Sequence, residues 1–158
     1  MNYQKGVGLI EILASMLILA IAVLGFVALQ YRSLEVASEA LKRVEAINLA
    51  RNLAERIYVN KSAYLDYQDV ASSEGSTSSC LNVGCDDESF AAKDMADITA
   101  QAEVSNMKVG VDVCPDTRNG RQCVFVAWDD TEPTKGSCTK ADEFAYKADA
   151  KCVVVEAF

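Results

Sequence analysis

An uncharged apolar run near the N-terminus restricts the folds open to this chain more than any other feature. Between Ile12 and Leu29 there are eighteen residues without a charged side chain. In an α-helix, which rises about 1.5 Å per residue, this run is roughly 27 Å long, close to the thickness of a bilayer's hydrocarbon core. The sequence therefore predicts a helix able to span a membrane.

A carboxylate, Glu11, comes directly before this run. A carboxylate at that depth is costly in lipid unless it meets a positive partner. An α-amino group freed four residues upstream, at Val7, would supply one. Such a group would arise if the chain were cut between Gly6 and Val7, just after the positive charge of Lys5.

The order of Lys5, Gly6, Val7 and Glu11 ahead of a long apolar helix resembles the start of a type IV prepilin. In that family an aspartyl prepilin peptidase removes a short basic leader that ends in Gly, and the new N-terminus is methylated. The resemblance implies a leader at residues 1–6, cleavage between Gly6 and Val7, and N-methylation of Val7. It also implies that Glu11 neutralises the N-terminus of a neighbouring subunit during assembly.

Two residues depart from the pattern of major pilins. Val7 stands where Phe is usual, Gly8 stands where Thr is frequent, and the first helix lacks the Pro that is common in shaft subunits. These features resemble minor pilins and pseudopilins, and residues 51–60 resemble the end of the helix in PilV-type minor pilins. The resemblance implies a tip or priming subunit. Its implied partners are the prepilin peptidase, other minor pilins, the major pilin, a tip adhesin and, before assembly, the inner membrane.

Two other interpretations of the N-terminus are less consistent with its residues. A secretory signal peptide would place the charge of Glu11 inside its apolar core, and the run is longer than usual for such a peptide. A plain membrane anchor explains the length but not Gly6 and Glu11 together.

The helical pattern continues beyond Leu29. Apolar residues recur at spacings of three and four and predict one face buried against a globular domain: Leu34, Ala37, Leu41, Val44, Ile47, Ala50, Leu53 and Ile57. We therefore expect one helix from about Gly8 to about Tyr58, roughly 75 Å long. The expected domains are a membrane and assembly helix at 7–29 and a periplasmic globular domain at 30–158, which includes the second half of the helix.

The rest of the chain predicts a small α+β domain. Residues 71–79 form a Ser-rich loop, and 87–103 form a helix with Phe90, Met95, Ile98 and Ala102 on its apolar face. Strands are expected at 107–113, 123–128 and 152–158, and Asn119-Gly120 marks a turn between the first two. A long helix packed on a small antiparallel sheet follows, which is also the type IV pilin fold.

Six cysteines, an even number, indicate disulfides in a small exported domain. They permit fifteen pairings, and the sequence does not choose among them. Proximity favours Cys80–Cys85 across a short loop and Cys114–Cys123 across the turn between two strands, which leaves Cys138–Cys152. A zinc site is disfavoured, because the cysteines lack Cys-x2-Cys spacing and the chain has no His.

Composition points to a structural protein and not to an enzyme. The chain carries a net charge of −8, and from Val59 onward nine basic residues face eighteen acidic ones, which disfavours nucleic-acid binding. No His is available as a general base, no loop matches a phosphate or EF-hand motif, and no cofactor is expected. Asp129, Asp130 and Glu132 are interpreted as a turn after a strand, and Ser15 as a packing residue bonded to its own helix.

These observations predict a type IV pilus minor pilin. The alternatives are a pseudopilin of a type II secretion system, which shares the leader and helix, and a membrane-anchored periplasmic binding domain that forms no filament.

Overall fold

The structure is a computed structural model that describes residues 8–64, 80, 84–117 and 120–157. The predicted leader, the Ser-rich loop at 71–79, Arg118–Asn119 and Phe158 lie outside the described residues. The chain divides into two units, Met1–Leu41 and Lys42–Phe158, and the boundary falls inside the first helix.

Helix α1 runs from Leu9 to Val59, within one residue of the predicted bounds at each end. No proline interrupts it, and Glu11 in its first turn and Arg56 in its last turn carry charges that favour the helix dipole. A short 3-10 helix, Lys61–Tyr64, follows.

The buried face of α1 differs from the prediction in its first half. Leu34, Leu41 and Val44 are exposed, and the buried positions begin at Ala46. They continue with the predicted Ala50, Leu53 and Ile57, together with Leu49 and Ala54. The buried stripe therefore begins at Ala46 and not at Leu34 as predicted, although its periodicity is as expected.

Helix α2 spans Asp87–Val104, in agreement with the predicted helix at 87–103, and Asp87 and Glu88 lie in its first turn. Asp86 caps it, because its side chain accepts a hydrogen bond from the backbone N–H of Ser89 at 2.9 Å. Met95, Ile98 and Ala102 are buried as predicted, but Phe90 is 45% exposed. The core-facing row starts at Ala91 instead.

Ala91 starts that row because Ala91, Met95, Ile98 and Ala102 follow a four-three-four spacing. Phe90 therefore lies about 100° away around the helix axis.

Three antiparallel strands form a sheet in the order β1-β2-β3: β1 is Met107–Val113, β2 is Gln122–Trp128 and β3 is Cys152–Glu156. Met107 pairs with Trp128 and Val113 with Gln122, which makes β1 and β2 the predicted hairpin. Gly120 in the connection has a φ of +64°, a conformation that glycine adopts readily. The predicted α+β pilin-type architecture is confirmed.

The sheet separates two apolar clusters. On one face α1 and α2 pack against alternate strand residues, including Val124, Val126 and Trp128. The opposite face forms a second cluster that contains Phe125, Ala127 and the cysteines at 114, 123, 138 and 152. Every residue of β2 is buried for this reason, since both sheet faces are covered.

The outer face is covered by residues 129–151, here named the cover segment. Its first part follows the outward side chains of β1: Lys108 pairs with Glu132, and Asp112 lies 3.2 Å from Lys135. Between these ion pairs a Cβ on Gly110 would lie 2.5 Å from the Pro133 carbonyl oxygen. Glycine is required there, because a side chain would collide with the backbone of the cover segment.

Two further contacts order the end of the cover segment, one to β3 and one between the two ends of the segment. Tyr146 accepts a hydrogen bond from the backbone N–H of Val154 at 3.2 Å through its hydroxyl oxygen. Thr131 accepts one from the N–H of Lys151 at 3.0 Å. The segment is therefore an ordered layer, although it contains no regular helix or strand.

Candidate functional site: the first turns of helix α1

Glu11 lies in the first turn of α1, and its side chain is exposed. Its backbone N–H donates to the carbonyl of Gly8 at 2.9 Å, and the N–H of Ile12 reaches the same oxygen at 3.4 Å. A carboxylate at a helix N-terminus favours the helix dipole. Gly6 and Val7, the predicted cleavage and methylation positions, lie outside the described residues.

The surface that follows Glu11 is apolar and exposed. All residues from Leu9 to Leu29 are exposed, and Leu9, Ile10 and Leu29 each exceed 70%. Among the described residues α1 is the one helix long and apolar enough to cross a membrane. An apolar surface of this extent is expected to be covered by lipid or by other proteins.

Ser15 lies one helical turn beyond Glu11. Its hydroxyl donates to the backbone carbonyl of Ile12 at 2.8 Å, which agrees with the predicted back-bonding. Ser38, further along α1, makes the same contact with the carbonyl of Glu35 at 3.0 Å.

The structure contains the three disulfides that proximity favoured. Cys80 bonds to Cys85, Cys114 to Cys123 and Cys138 to Cys152, with Cα–Cα distances of 5.0, 4.9 and 5.9 Å. Cys123 lies opposite Asp112, and the N–H of Cys114 donates to Arg121, so the bond between the two cysteines runs diagonally across the hairpin.

Two acidic residues after β2, Asp129 and Glu132, participate in ion pairs. Asp129 lies 2.9 Å from Lys42 of α1 and 2.7 Å from Lys151, the residue before β3, and Glu132 pairs with Lys108. The hydrogen bond from Lys151, followed by that from Lys42, lowers the pKa of the Asp129 carboxyl below its usual value. No group of metal-ligating side chains occurs among the residues that the structure describes.

A further ion pair joins α1 to α2. Arg56 of α1 lies 2.5 Å from Asp94 of α2, whose side chain is only 6% exposed. Arg56 also donates to Asn52 at 2.9 Å and lies 4.0 Å from Asp97. Sequence reasoning missed both this contact and the Lys42–Asp129 contact, because the partners are 38 and 87 residues apart and no local pattern connects them.

Two family models match the chain in succession. Residues 1–27 match the prokaryotic N-terminal methylation motif, and residues 28–98 match the type IV pilin Tt1218 family. No curated protein and no solved structure matches the chain. The motif implies processing by a prepilin peptidase and assembly with other pilins, and with the apolar helix it fits a membrane-anchored pilin. These two matches, together with a long N-terminal helix packed on a disulfide-bonded antiparallel sheet, support a type IV prepilin-like pilin.

Proposed function

We propose that this chain is a minor pilin of a type IV pilus, a structural subunit of the tip or priming complex that promotes assembly and adhesin display. The observation that carries the proposal is Glu11 at the head of an exposed, uncharged helix surface. A carboxylate in that position can pair with a neighbour's N-terminus when the helices leave the membrane and pack together.

Processing precedes assembly in this proposal. The peptidase cuts between Gly6 and Val7 on the cytoplasmic side, Val7 is methylated, and the domain from residue 30 onward lies in the periplasm. We expect intact-mass analysis of membrane-extracted protein to give a chain that begins at Val7 and carries one added methyl group. A chain that begins at Met1, or after Ala22, would contradict prepilin processing.

Glu11 acts after cleavage, when the amine must be neutralised in an apolar bundle. The variant Glu11→Ala should therefore be cleaved normally but should be depleted from sheared pili relative to the wild type. Equal incorporation of the variant and the wild type would refute this role of the carboxylate.

The minor-pilin assignment is supported by Val7, Gly8 and the absence of proline from α1. The acidic domain adds to it, since copies stacked along a whole fibre would repel one another, although salt screens charges beyond about 8–10 Å. Chemically different minor pilins are therefore the favoured neighbours.

The decisive experiment combines quantitative mass spectrometry of sheared pili with counts of surface pili in a deletion strain. We expect a scarce fibre protein whose loss reduces the number of pili. Abundance equal to the main fibre protein would overturn the minor assignment. Intact piliation with lost protein secretion would favour the pseudopilin alternative, and retention of the chain in the inner membrane would favour a non-filament binding domain.

A further inference from the structure

Ser15 is the only residue with a side-chain hydroxyl between Ile12 and Leu29. It lies four residues after Glu11 in α1, and residues at this spacing occupy the same face of a helix with Cβ atoms about 5–6 Å apart. Both side chains are exposed. The first turns of the helix therefore present a carboxylate and a hydroxyl side by side on an otherwise apolar surface.

The hydrogen bond that Ser15 makes within the helix determines what its hydroxyl can offer to a partner. The O–H donates to the carbonyl of Ile12 at 2.8 Å, so the proton points back into the helix. A hydroxyl oxygen keeps two lone pairs as acceptors. Ser15 is therefore oriented to accept a hydrogen bond from outside.

The partner proposed for Glu11 needs such an acceptor. An N-methylated α-ammonium has two N–H bonds, and they diverge at the tetrahedral angle. The two oxygens of one carboxylate subtend a much smaller angle at the nitrogen, so a single carboxylate cannot align well with both N–H bonds. In an apolar bundle without water, an unsatisfied donor on a charged group is costly. Glu11 can accept the first N–H, and the second requires another acceptor nearby.

We propose that the Ser15 hydroxyl is this second acceptor, so that the N-terminal ammonium of a neighbouring pilin subunit binds between Glu11 and Ser15. The inference rests on the assembly role proposed for Glu11. Charge complementarity selects the occupant, because the site combines a carboxylate with a hydroxyl acceptor and the run from Ile12 to Leu29 contains no cation of its own. Ser15 is a positioning residue that aligns the ammonium on Glu11.

The test measures incorporation of full-length Ser15 variants into sheared pili, normalised to membrane level and to cleavage. Loss of a hydrogen bond to a charged group corresponds to roughly tenfold in an equilibrium constant, so Ser15→Ala should lower incorporation by about that factor. Ser15→Thr keeps the hydroxyl and should be incorporated like the wild type. Ser38→Ala is the matched control, because Ser38 makes the same back-bond on the same helix and should be dispensable.

A double variant separates binding from packing. In a Glu11→Ala background the ammonium is no longer held, so adding Ser15→Ala should have little further effect. Equal fold-losses in both backgrounds would overturn the inference, since Ser15 would then act independently of Glu11. Wild-type incorporation of Ser15→Ala alongside depleted Glu11→Ala would also overturn it and would leave the proposed function intact. Wild-type incorporation of both variants would refute the role of Glu11 itself.

Discussion

The Arg56–Asp94 pair predicts an unequal effect of removing its two partners. Asp94 is almost fully buried, and its Oδ2 atom has no hydrogen-bond partner, whereas the Arg56 side chain is 35% exposed. Removing Arg56 would leave a buried carboxylate without its counter-charge, and the loss of one partner of a buried pair typically costs about 3–5 kcal/mol. Because Arg56 is partly hydrated, we expect Arg56→Ala to lower the free energy of unfolding by about 3 kcal/mol.

The reverse change should cost less. In Asp94→Ala the guanidinium keeps its contact with Asn52, lies near Asp97 and reaches water, so we expect a loss of about 1–2 kcal/mol. The double variant should lose less than the sum of the two single losses, because the partners belong to one interaction.

Trp128 provides the assay. It is the only tryptophan, it is 1% exposed, and it lies in the same unit as both partners, so its fluorescence reports unfolding of that unit. Urea is the suitable denaturant, because it is uncharged and does not screen the pair. If Arg56→Ala changes the unfolding free energy by less than about 0.5 kcal/mol, or less than Asp94→Ala does, the argument from buried charge is wrong.

Three further predictions concern the sheet and its cover segment. Gly110→Ala should destabilise the domain by about 1–3 kcal/mol in urea unfolding, because the new Cβ meets the carbonyl of Pro133, and an unchanged midpoint would contradict that close approach. Asp129→Asn should be less stable than the wild type at pH 7. Because the folded-state pKa of Asp129 is lowered, the stability that its carboxylate contributes is present above the unfolded-state pKa and is lost as pH falls through the folded-state pKa. The stability difference between the variant and the wild type should therefore disappear in acid. A difference independent of pH would refute the charge argument. Replacing both Cys138 and Cys152 by Ser should lower the free energy of unfolding by about 3 kcal/mol and increase binding of an apolar dye to the uncovered sheet face. Unchanged dye binding would show that the cover segment stays in place without its disulfide.

Much of the fold could be predicted from local patterns. The bounds of α1 followed from apolar spacing without proline, and the three strands followed from apolar runs between turn residues. The same reasoning failed for Phe90 and for the exposed Leu34 and Leu41, because periodicity identifies a face of a helix but not where along its length a partner begins.

The cover segment was not predicted. Residues 129–151 show neither helical nor alternating periodicity, and their order comes from side chains on distant strands, as at Lys135 and Asp112. Only Cys138 and Cys152 indicated that the region is attached to the domain. At the candidate site, Glu11 and Ser15 could be found from sequence, because a short helical segment fixes their relation without help from the tertiary fold.

The sheet also divides the domain into parts that can evolve at different rates. Changes in the helix-facing cluster must preserve the packing of α1 and α2, whereas changes in the cover segment beyond Asp129, which pairs with Lys42 of α1, meet the outer cluster and a few strand side chains. Ala141 to Asp149 is almost entirely exposed. Substitutions or insertions there would alter the outward chemistry of the subunit while leaving the helix side unchanged. One scaffold can therefore supply subunits with different exposed surfaces, and an epitope tag inserted between Ala141 and Phe144, away from the contact of Tyr146 with β3, should be tolerated.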